Sequence, residues 1–308
     1  MHPDEPDTDV PLVHRLIAAQ FPRWAGLPVK PVDAHGTSHV MYRLGDAMVV
    51  RLPRTAGAAE DIEREHTWMP RLAPSLPVPV PVPLAKGVPG EGLPFPWAVY
   101  RWLDGEAPTV GRIAGPDRLA RDLGRFVTAL RRIDPAGAPA SYRSETLAAR
   151  DAATRAAIAG LRTPADVDAD PAAVTAAWEA ALRAPEWPGP PVWIHADLQP
   201  GNLLLSGDRL GAVIDFGCTG LGDPAVDLLA AWYVLPAGAR DAFRAAAGLD
   251  DAAWARGRGW ALSVALLELN YYRETNPAMT AKARHVVEEL LADPTPVDPP
   301  GRDRAPRS

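Results

Sequence analysis

Two short apolar runs, each of which delivers an aspartate to a turn, are the feature that most constrains this chain. They are "IHADLQPGNLLL", residues 194–205, and "VIDFG", residues 213–217. The proline and glycine inside the first segment break any helix, so it is predicted to be a loop between two strands. The side chains of Asp197 and Asn202 can therefore point to the same side of the loop. Asp215 lies at the end of the next predicted strand, two residues before a glycine that allows the backbone to turn.

The three polar residues suit phosphoryl transfer. Asp197 can accept a proton from a substrate hydroxyl, and Asn202 offers a neutral oxygen to a hard cation. Asp215 can hold Mg²⁺, which takes oxygen ligands and shares them with phosphates. A base, an amide ligand and a carboxylate ligand in this order are typical of kinase-like sites. Each residue alone could be an ordinary turn or capping residue, so the prediction depends on their joint spacing.

The first part of the chain alternates between helix and strand patterns. Apolar residues recur at helical spacing over 9–21, alternate around a Gly-Asp turn over 29–54, and return to helical spacing over 57–73. The proline-rich segment 74–84 predicts a stiff loop, and the run "PWAVYRW" after it predicts a strand. The expected order is therefore helix, hairpin, helix, strand.

Helical patterns dominate the later part of the chain. The segment 116–134 places large apolar residues on one face, and alanine-rich segments over 146–160 and 171–184 follow. Four more helical segments lie between residues 223 and 293. The sequence therefore predicts an α+β chain in which a small mixed domain precedes a larger helical one.

The expected domains follow from this change of character. Residues 1–103 are predicted to form an N-terminal nucleotide-binding lobe that begins with a loose tail over 1–8. Residues 104–293 are predicted to form a helical C-terminal lobe with the catalytic loop and the acceptor site, and 294–308 a disordered tail.

Composition excludes several classes of protein. The 308 residues are 47% hydrophobic, which is enough for a sizeable core, and the single Cys218 excludes an internal disulfide framework and a cysteine metal cluster. The apolar runs are too short for a predicted membrane span, and the acidic, proline-rich segment "MHPDEPDTDVP" is not expected to be a signal peptide. The net charge of -6 argues against a nucleic-acid partner and for a cationic ligand, and simple solubility is the alternative explanation for an acidic excess of this size. We expect a cytoplasmic protein, a monomer or weak dimer, with no membrane partner.

The segments "IHADLQPGNLLL", "AVIDFG" and "GDPAVDLLAAW" resemble the aminoglycoside phosphotransferase family of kinase-like enzymes. The segments "GTSHVMYRLGDAMVVRLPR", "PWAVYRWLDGE" and "LNYYRETNPAM" also lie where that family has comparable ones, so the resemblance covers roughly residues 25 to 293. It implies a two-lobed protein-kinase-like fold, with a small β-rich N-lobe and a larger, mainly helical C-lobe. It also implies Mg²⁺ and a nucleotide, ATP or GTP, bound in the cleft.

The resemblance implies roles for five residues of the second half. Asp197 would be the catalytic base, and Asn202 and Asp215 would be the Mg²⁺ ligands. Asp227 would accept backbone N–H groups of the catalytic loop, although a carboxylate near a helix N-terminus is also favoured by the helix dipole. His195 would pack behind the loop as a scaffold residue.

The N-terminal lobe departs from the kinase pattern at the strand "AMVVRLPR". Kinase-like enzymes place a lysine there over the phosphates, and Arg51 stands in its place. Arginine binds phosphate through two donors and keeps its charge, so Arg51 is predicted to replace the lysine and to pair with Glu65. Glu63 is the rival partner, and Lys30 or Lys86 is the rival cation.

The predicted phosphate loop "DAHGTSHV" contains a single glycine. Thr37 and Ser38 could still give N–H and hydroxyl contacts to the nucleotide, and His39 is expected to be a polar loop residue. Tyr100 and Trp102, on the strand that leads into the cleft, are also expected to lie at the nucleotide.

The acceptor is expected against the helical lobe, where carboxylate, amide and aromatic side chains cluster near the end of a helix: Glu268, Asn270, Tyr271 and Tyr272. These groups suit an aminoglycoside-like aminated sugar, and the cluster could also be a packed helix end. Another small alcohol, such as a macrolide, a sugar or a biosynthetic intermediate, stays open as the acceptor. A nucleotide-binding pseudokinase is a further alternative. A protein kinase is disfavoured because only "CTGLGDP" stands where an activation segment would be.

Overall fold

The structure of the protein is a computed structural model, and it describes residues 6–32, 38–109, 111–161 and 170–293. Thr37, most of the phosphate loop and the C-terminal tail lie outside the described residues. The boundary near residue 103 stays a prediction. Helix α1, Val10–Gln20, begins as expected after Asp9, whose carboxylate accepts a hydrogen bond from the Leu12 N–H at 2.7 Å.

A five-stranded antiparallel sheet forms the N-terminal lobe. Its strands are β1 (Val29–Pro31), β2 (His39–Leu44), β3 (Met48–Pro53), β4 (Pro83–Gly87) and β5 (Trp97–Arg101), in the spatial order β1-β2-β3-β5-β4. Helix α2, Ala56–Leu72, connects β3 to β4. The β2–β3 hairpin, α2 and β5 were predicted. Strands β1 and β4 were not predicted, and the segment 74–84, predicted to be a stiff loop, runs into β4 at Pro83.

The two faces of this sheet pack against different helices. Trp97 and Val99 of β5 contact the apolar side of α1, whereas Ala98 and Tyr100 lie with Ile62 of α2. Successive residues of a strand point to opposite faces, so this alternation directs the Tyr100 side chain toward α2. The α2 side of the sheet also carries Arg51, and it is the side that contributes to the site described below.

Seven helices and the largest apolar cluster form the C-terminal lobe in the described residues. The helices are α3 (Pro116–Leu130), α4 (Asp151–Ala159), α5 (Pro171–Leu182), α6 (Ala230–Tyr233), α7 (Arg240–Ala247), α8 (Asp251–Tyr272) and α9 (Pro277–Ala292). Helix α8 is central and packs against α4, α5 and α9. The predicted helix after residue 223 begins differently, because Pro224–Leu229 form a 3₁₀ helix that leads into α6. No helix in the described residues is long and apolar enough to cross a membrane.

Two small antiparallel sheets bracket the polar segments. Strand β6, Val192–Ile194, pairs with β9, Gly220–Gly222, and β7, Leu203–Ser206, pairs with β8, Arg209–Val213. The first predicted loop therefore lies between β6 and β7, and Asp215 lies just after β8. Strand pairing thus fixes both ends of each segment that carries a predicted site residue.

Candidate active site

Asp227 braces the loop that follows β6. Its two carboxylate oxygens accept hydrogen bonds from the backbone N–H groups of His195 at 2.9 Å and Ala196 at 2.7 Å. Burial raises the pKa of Asp227 to about 6, against the opposing effect of these two donors. Ala196 has a φ of 69°, an uncommon conformation for a residue with a side chain, and Asp227 holds the turn in that conformation.

His195 connects the loop to the segment that carries Asp215. Its Nδ1 accepts a hydrogen bond from the Asp197 N–H at 3.2 Å, so its Nε2 carries the proton and donates to the Ile214 carbonyl at 3.1 Å. Burial lowers the pKa of His195, which favours this neutral form, and its ring packs on Phe216 at 4.6 Å between centroids. The Ile214 N–H donates to the Asn202 carbonyl at 2.9 Å. His195 therefore has the surroundings of a scaffold residue.

The Asp197 carboxylate is held by three donors. Asn202 Nδ2 donates to its Oδ2 at 2.8 Å, and Arg143 Nη1 and Gln199 Nε2 each donate to its Oδ1 at 3.1 Å. The Asp197 side chain keeps 25% of its surface exposed, so a substrate hydroxyl can reach it. Because Asn202 directs its amide nitrogen at Asp197, its amide oxygen remains the group that can face a cation.

Arg143 was not predicted as a site residue, because it lies in an irregular segment that is far from the loop in the sequence. That segment is attached to the residues after Asp215: the Ser141 N–H donates to the Leu221 carbonyl at 3.0 Å, and the Tyr142 N–H donates to the Cys218 carbonyl at 3.1 Å. Arg143 also donates to the Ala196 carbonyl. These contacts seat a guanidinium that is 12% exposed directly on the Asp197 carboxylate.

Arg51 and Glu65 form a buried ion pair between β3 and α2. Arg51 Nη1 donates to both Glu65 oxygens, at 2.9 and 2.7 Å. The Tyr100 hydroxyl donates to Glu65 Oε2 at 2.6 Å, and the Phe216 N–H donates to Oε1 at 2.9 Å. The pairing of Arg51 with Glu65 is the one predicted from the sequence, and it connects the sheet, α2 and the segment after β8.

The second Arg51 nitrogen reaches the segment after β8. Arg51 Nη2 donates to Asp215 Oδ1 at 3.2 Å and to His39 Nδ1 at 3.2 Å, while His39 Nε2 donates to the Ala58 carbonyl at 3.0 Å. The expectation that His39 is a polar loop residue is wrong, because it is a buried residue of β2. Burial, with Arg51 beside it, lowers the pKa of His39 to about 2, so the ring stays neutral and can accept from Arg51.

The rival residues for the Arg51 position lie elsewhere. Lys86 on β4 pairs with Glu63 at 2.7 Å, and their side chains are 32% and 50% exposed. Lys30 is an exposed residue of the edge strand β1. In the part of the chain that the structure describes, Arg51 forms an ion pair with Asp215 at 3.2 Å and neither lysine does.

The other residues predicted at the nucleotide have separate surroundings. Ser38 is exposed, and its carbonyl accepts from the Arg54 N–H at 3.0 Å. Tyr100 is buried, with its hydroxyl on Glu65. The Trp102 indole N–H donates to Asp104 at 2.7 Å, and the Arg43 guanidinium lies 4.0 Å from the centroid of its ring. A nucleotide-binding role for these residues stays a prediction.

The predicted acceptor cluster divides into two parts. Glu268 lies at the loop that carries Asp197, where its Oε1 accepts from Gln199 Nε2 at 2.7 Å. Asn270 faces α4 instead, and the Tyr271 and Tyr272 rings pack edge to face at 4.8 Å. A cavity of about 400 Å³ lies on that second side, lined by Gly160, Asn270, Tyr271, Arg273, Glu274 and Thr275. Glu268 is therefore the member of the cluster that the structure places beside Asp197.

A magnesium ion fits two of the predicted ligands. The Asp215 side chain is 45% exposed, and one of its two carboxylate oxygens accepts a hydrogen bond from Arg51. The Asn202 amide supplies a second hard oxygen for a cation. No group of three or more His, Cys, Asp or Glu side chains that could hold a metal ion occurs among the described residues. Mg²⁺ would therefore be held jointly by these residues and by nucleotide phosphates.

The fold is that of the kinase-like phosphotransferases. The chain belongs to the phosphotransferase enzyme family, known as APH, whose profile matches residues 29–260. The two-lobed α+β fold predicted from the resemblance is confirmed. No curated protein matches the chain.

Several solved structures share this fold. The GDP complex of wild-type aminoglycoside 2'-phosphotransferase-IIIa is 20% identical with a TM-score of 0.73, covering 92% of this chain and 99% of that one. The apoenzyme of macrolide 2'-phosphotransferase MphH from Brachybacterium faecium is 24% identical with a TM-score of 0.59, covering 89% and 97%. The streptomycin-ATP-APH(2")-IIa ternary complex is 17% identical with a TM-score of 0.60, covering 92% and 96%.

Proposed function

We propose that this protein transfers the γ-phosphoryl group of a nucleoside triphosphate to a hydroxyl of a small molecule. The observation that carries the proposal is the convergence of Asp197 and Asn202 of the helical lobe with Asp215, which is itself held by Arg51 of the sheet lobe. A partly exposed carboxylate, an amide oxygen and a second carboxylate next to a fixed guanidinium are the groups that positioning and charge stabilisation of a phosphoryl group require.

In this proposal each residue has one task. Asp197 orients the acceptor hydroxyl and takes its proton, while Asn202 and Arg143 fix the direction of the carboxylate. Arg51 binds nucleotide phosphate while Glu65 holds its guanidinium in place. Asn202 and Asp215 would hold Mg²⁺, which when bound neutralises phosphate charge. The Asp227 brace keeps the loop in the conformation that presents Asp197.

The choice between ATP and GTP is open in this proposal. The neighbouring structures include one with GDP and one with ATP. A family of one fold therefore handles both purines, and both nucleotides belong in the assay.

Two acceptor classes are compatible with the family. Neighbours include structures with kanamycin or streptomycin and a macrolide 2'-phosphotransferase. An aminated sugar and another small alcohol are accordingly the two candidates. Glu268 beside the catalytic loop would belong to the acceptor site in either case.

The test is transfer of labelled γ-phosphate from ATP and, in parallel, from GTP, to a panel of aminoglycosides, macrolides and sugar alcohols in the presence of Mg²⁺. The Asp197→Asn variant is the control, because it keeps the shape of the side chain and removes the base. Transfer by the wild type that is lost in Asp197→Asn supports the proposal. Nucleotide binding without transfer or hydrolysis under any condition would instead indicate the pseudokinase alternative.

A further inference from the structure

Lys282 of α9 lies at the acceptor side of the catalytic loop. Its ammonium donates to the Gln199 side-chain oxygen and pairs with Glu268 Oε2 at 3.4 Å. It also lies 5.5 Å from the centroid of the Tyr233 ring. The Lys282 side chain is only 19% exposed, so these contacts are shielded in part from water.

These three contacts are the ones that an ammonium group of a ligand would seek. A carboxylate and an amide oxygen accept its hydrogen bonds, and an aromatic face attracts its charge. Gln199 and Glu268 adjoin the catalytic residue, because Gln199 Nε2 bridges Asp197 Oδ1 at 3.1 Å and Glu268 Oε1 at 2.7 Å. The Tyr233 hydroxyl donates to Glu268 Oε2 at 3.2 Å. Lys282 thus fills a cation site next to the proposed base with a cation of the chain itself.

The two carboxylates that Gln199 contacts are each paired with a cation of the protein. Arg143 pairs with Asp197 at 3.1 Å, and Lys282 pairs with Glu268 at 3.4 Å. Two carboxylates therefore face two internal cations. A positively charged acceptor would find each carboxylate already paired and would meet a like charge beside it, which opposes its binding.

We propose that Lys282 is a specificity-determining residue, and that the acceptor beside Asp197 is an uncharged polyhydroxyl compound rather than an aminated sugar. The inference rests on the proposed phosphotransferase function and selects the second of its two acceptor classes. It departs from the cationic acceptor predicted from net charge and from the Glu268 cluster, because that prediction did not include the two cations contributed by Arg143 and Lys282.

The Lys282→Ala variant opens the cation site, and propylammonium chloride is a probe that needs no fit to a sugar. We expect propylammonium to raise the melting temperature of Lys282→Ala saturably above the effect of equal NaCl, and not that of the wild type. Lys282→Arg keeps the charge and should behave as the wild type. Lys86→Ala removes a lysine whose partner is the surface residue Glu63, and it is the matched control.

A second arm uses kanamycin and its fully N-acetylated form, which share a skeleton and differ in charge. In calorimetry with Mg²⁺ and ADP present, the wild type is expected to favour the acetylated form. Lys282→Ala should bind kanamycin about tenfold tighter than the wild type does, the effect of one hydrogen-bonded charge. The double variant Lys282→Ala/Glu268→Gln should lose this increase in affinity for kanamycin, since the Glu268 carboxylate that would bind the ammonium group is absent.

Tighter binding of kanamycin than of its acetylated form by the wild type would overturn the inference. Absence of a propylammonium effect in folded Lys282→Ala would also overturn it. The proposed function is tested separately, by nucleotide hydrolysis of the wild type and its loss in Asp197→Asn. Hydrolysis that depends on Asp197, together with no ammonium effect in Lys282→Ala, would contradict this inference alone.

Discussion

Replacement of Arg51 by methionine is expected to lower the free energy of unfolding by about 3–5 kcal/mol, the usual cost of breaking a buried ion pair from one side. The Glu65 side chain is fully buried and the Arg51 side chain is 9% exposed. Without the guanidinium, Glu65 loses two hydrogen bonds of 2.9 and 2.7 Å and keeps only the Tyr100 hydroxyl and the Phe216 N–H as donors. The variant therefore leaves a buried charge with no cation.

A second substitution distinguishes the charge from the contacts. Glu65→Gln removes the charge and retains an oxygen that can accept from the Phe216 N–H. The double variant Arg51→Met/Glu65→Gln should therefore be more stable than Arg51→Met alone, because the remaining partner is no longer ionised. Lys86→Met breaks the exposed pair with Glu63 and should change the free energy of unfolding by no more than about 1 kcal/mol.

Urea unfolding followed by tryptophan fluorescence measures these differences, since the chain contains 10 tryptophans. Two results would refute the reasoning. One is a cost for Arg51→Met no larger than that for Lys86→Met. The other is an additive double variant, which would show that Arg51 and Glu65 do not interact in solution.

The same residue has a functional readout that stability does not determine. Arg51→Ala should raise the KM for nucleotide and lower kcat, because a contact to the transferring group strengthens in the transition state. Arg51→Lys should restore part of both, since it keeps a point charge and loses the paired donors. The Arg51→Met/Glu65→Gln protein should stay impaired in nucleotide binding even where its stability recovers.

Three further predictions concern the carboxylates. Asp197→Asn should abolish turnover and leave the nucleotide affinity measured by calorimetry within a few-fold of the wild-type value. Asp215→Ala should weaken Mg²⁺-nucleotide binding as well as turnover. Nucleotide binding by Asp215→Ala with unchanged Mg²⁺ dependence would place the metal elsewhere. Burial, and then the carboxylates of Asp215 and Glu65, raise the pKa of Asp61 from 3.8 to about 6. Because the folded pKa is the higher one, Asp61 stabilises the fold at low pH and this contribution is lost as pH rises through about 6. The melting temperature of Asp61→Asn relative to the wild type should therefore rise from about pH 4 to about pH 7, and a flat difference would contradict the assignment.

The sequence predicted those parts of the site whose residues lie close together in the chain. Asp197, Asn202 and Asp215 are recognisable because strand, turn and strand signals fix their spacing, and the same local signals predicted the β2–β3 hairpin. The missed strands β1 and β4 are the two edges of the sheet. Edge strands tolerate proline because one row of their N–H groups needs no partner, so the proline-rich approach to β4 resembled a loop.

Residues that reach the site from distant segments gave no such signal. Arg143 contacts Asp197 across 54 positions of sequence, and Lys282 contacts Gln199 across 83. Neither lies in a motif, and their positions depend on how the irregular segment before α4 and the helix α9 pack. The Glu268 cluster shows the converse: its members adjoin in sequence, and the rotation of α8 turns Asn270 away from the loop that Glu268 contacts.

The position of Asp215 is determined by its two neighbours rather than by its own side chain. Ile214 donates its N–H to the Asn202 carbonyl and accepts from His195, which ties it to the catalytic loop, whereas the Phe216 N–H donates to Glu65 of α2. Asp215 lies between them with a φ of 63°, a left-handed conformation that aspartate tolerates better than most residues. One neighbour therefore follows the helical lobe and the other follows the sheet lobe. A carboxylate held in this way meets Arg51 only when the lobes have the relative position seen here, so both lobes together determine where the proposed metal ligand lies.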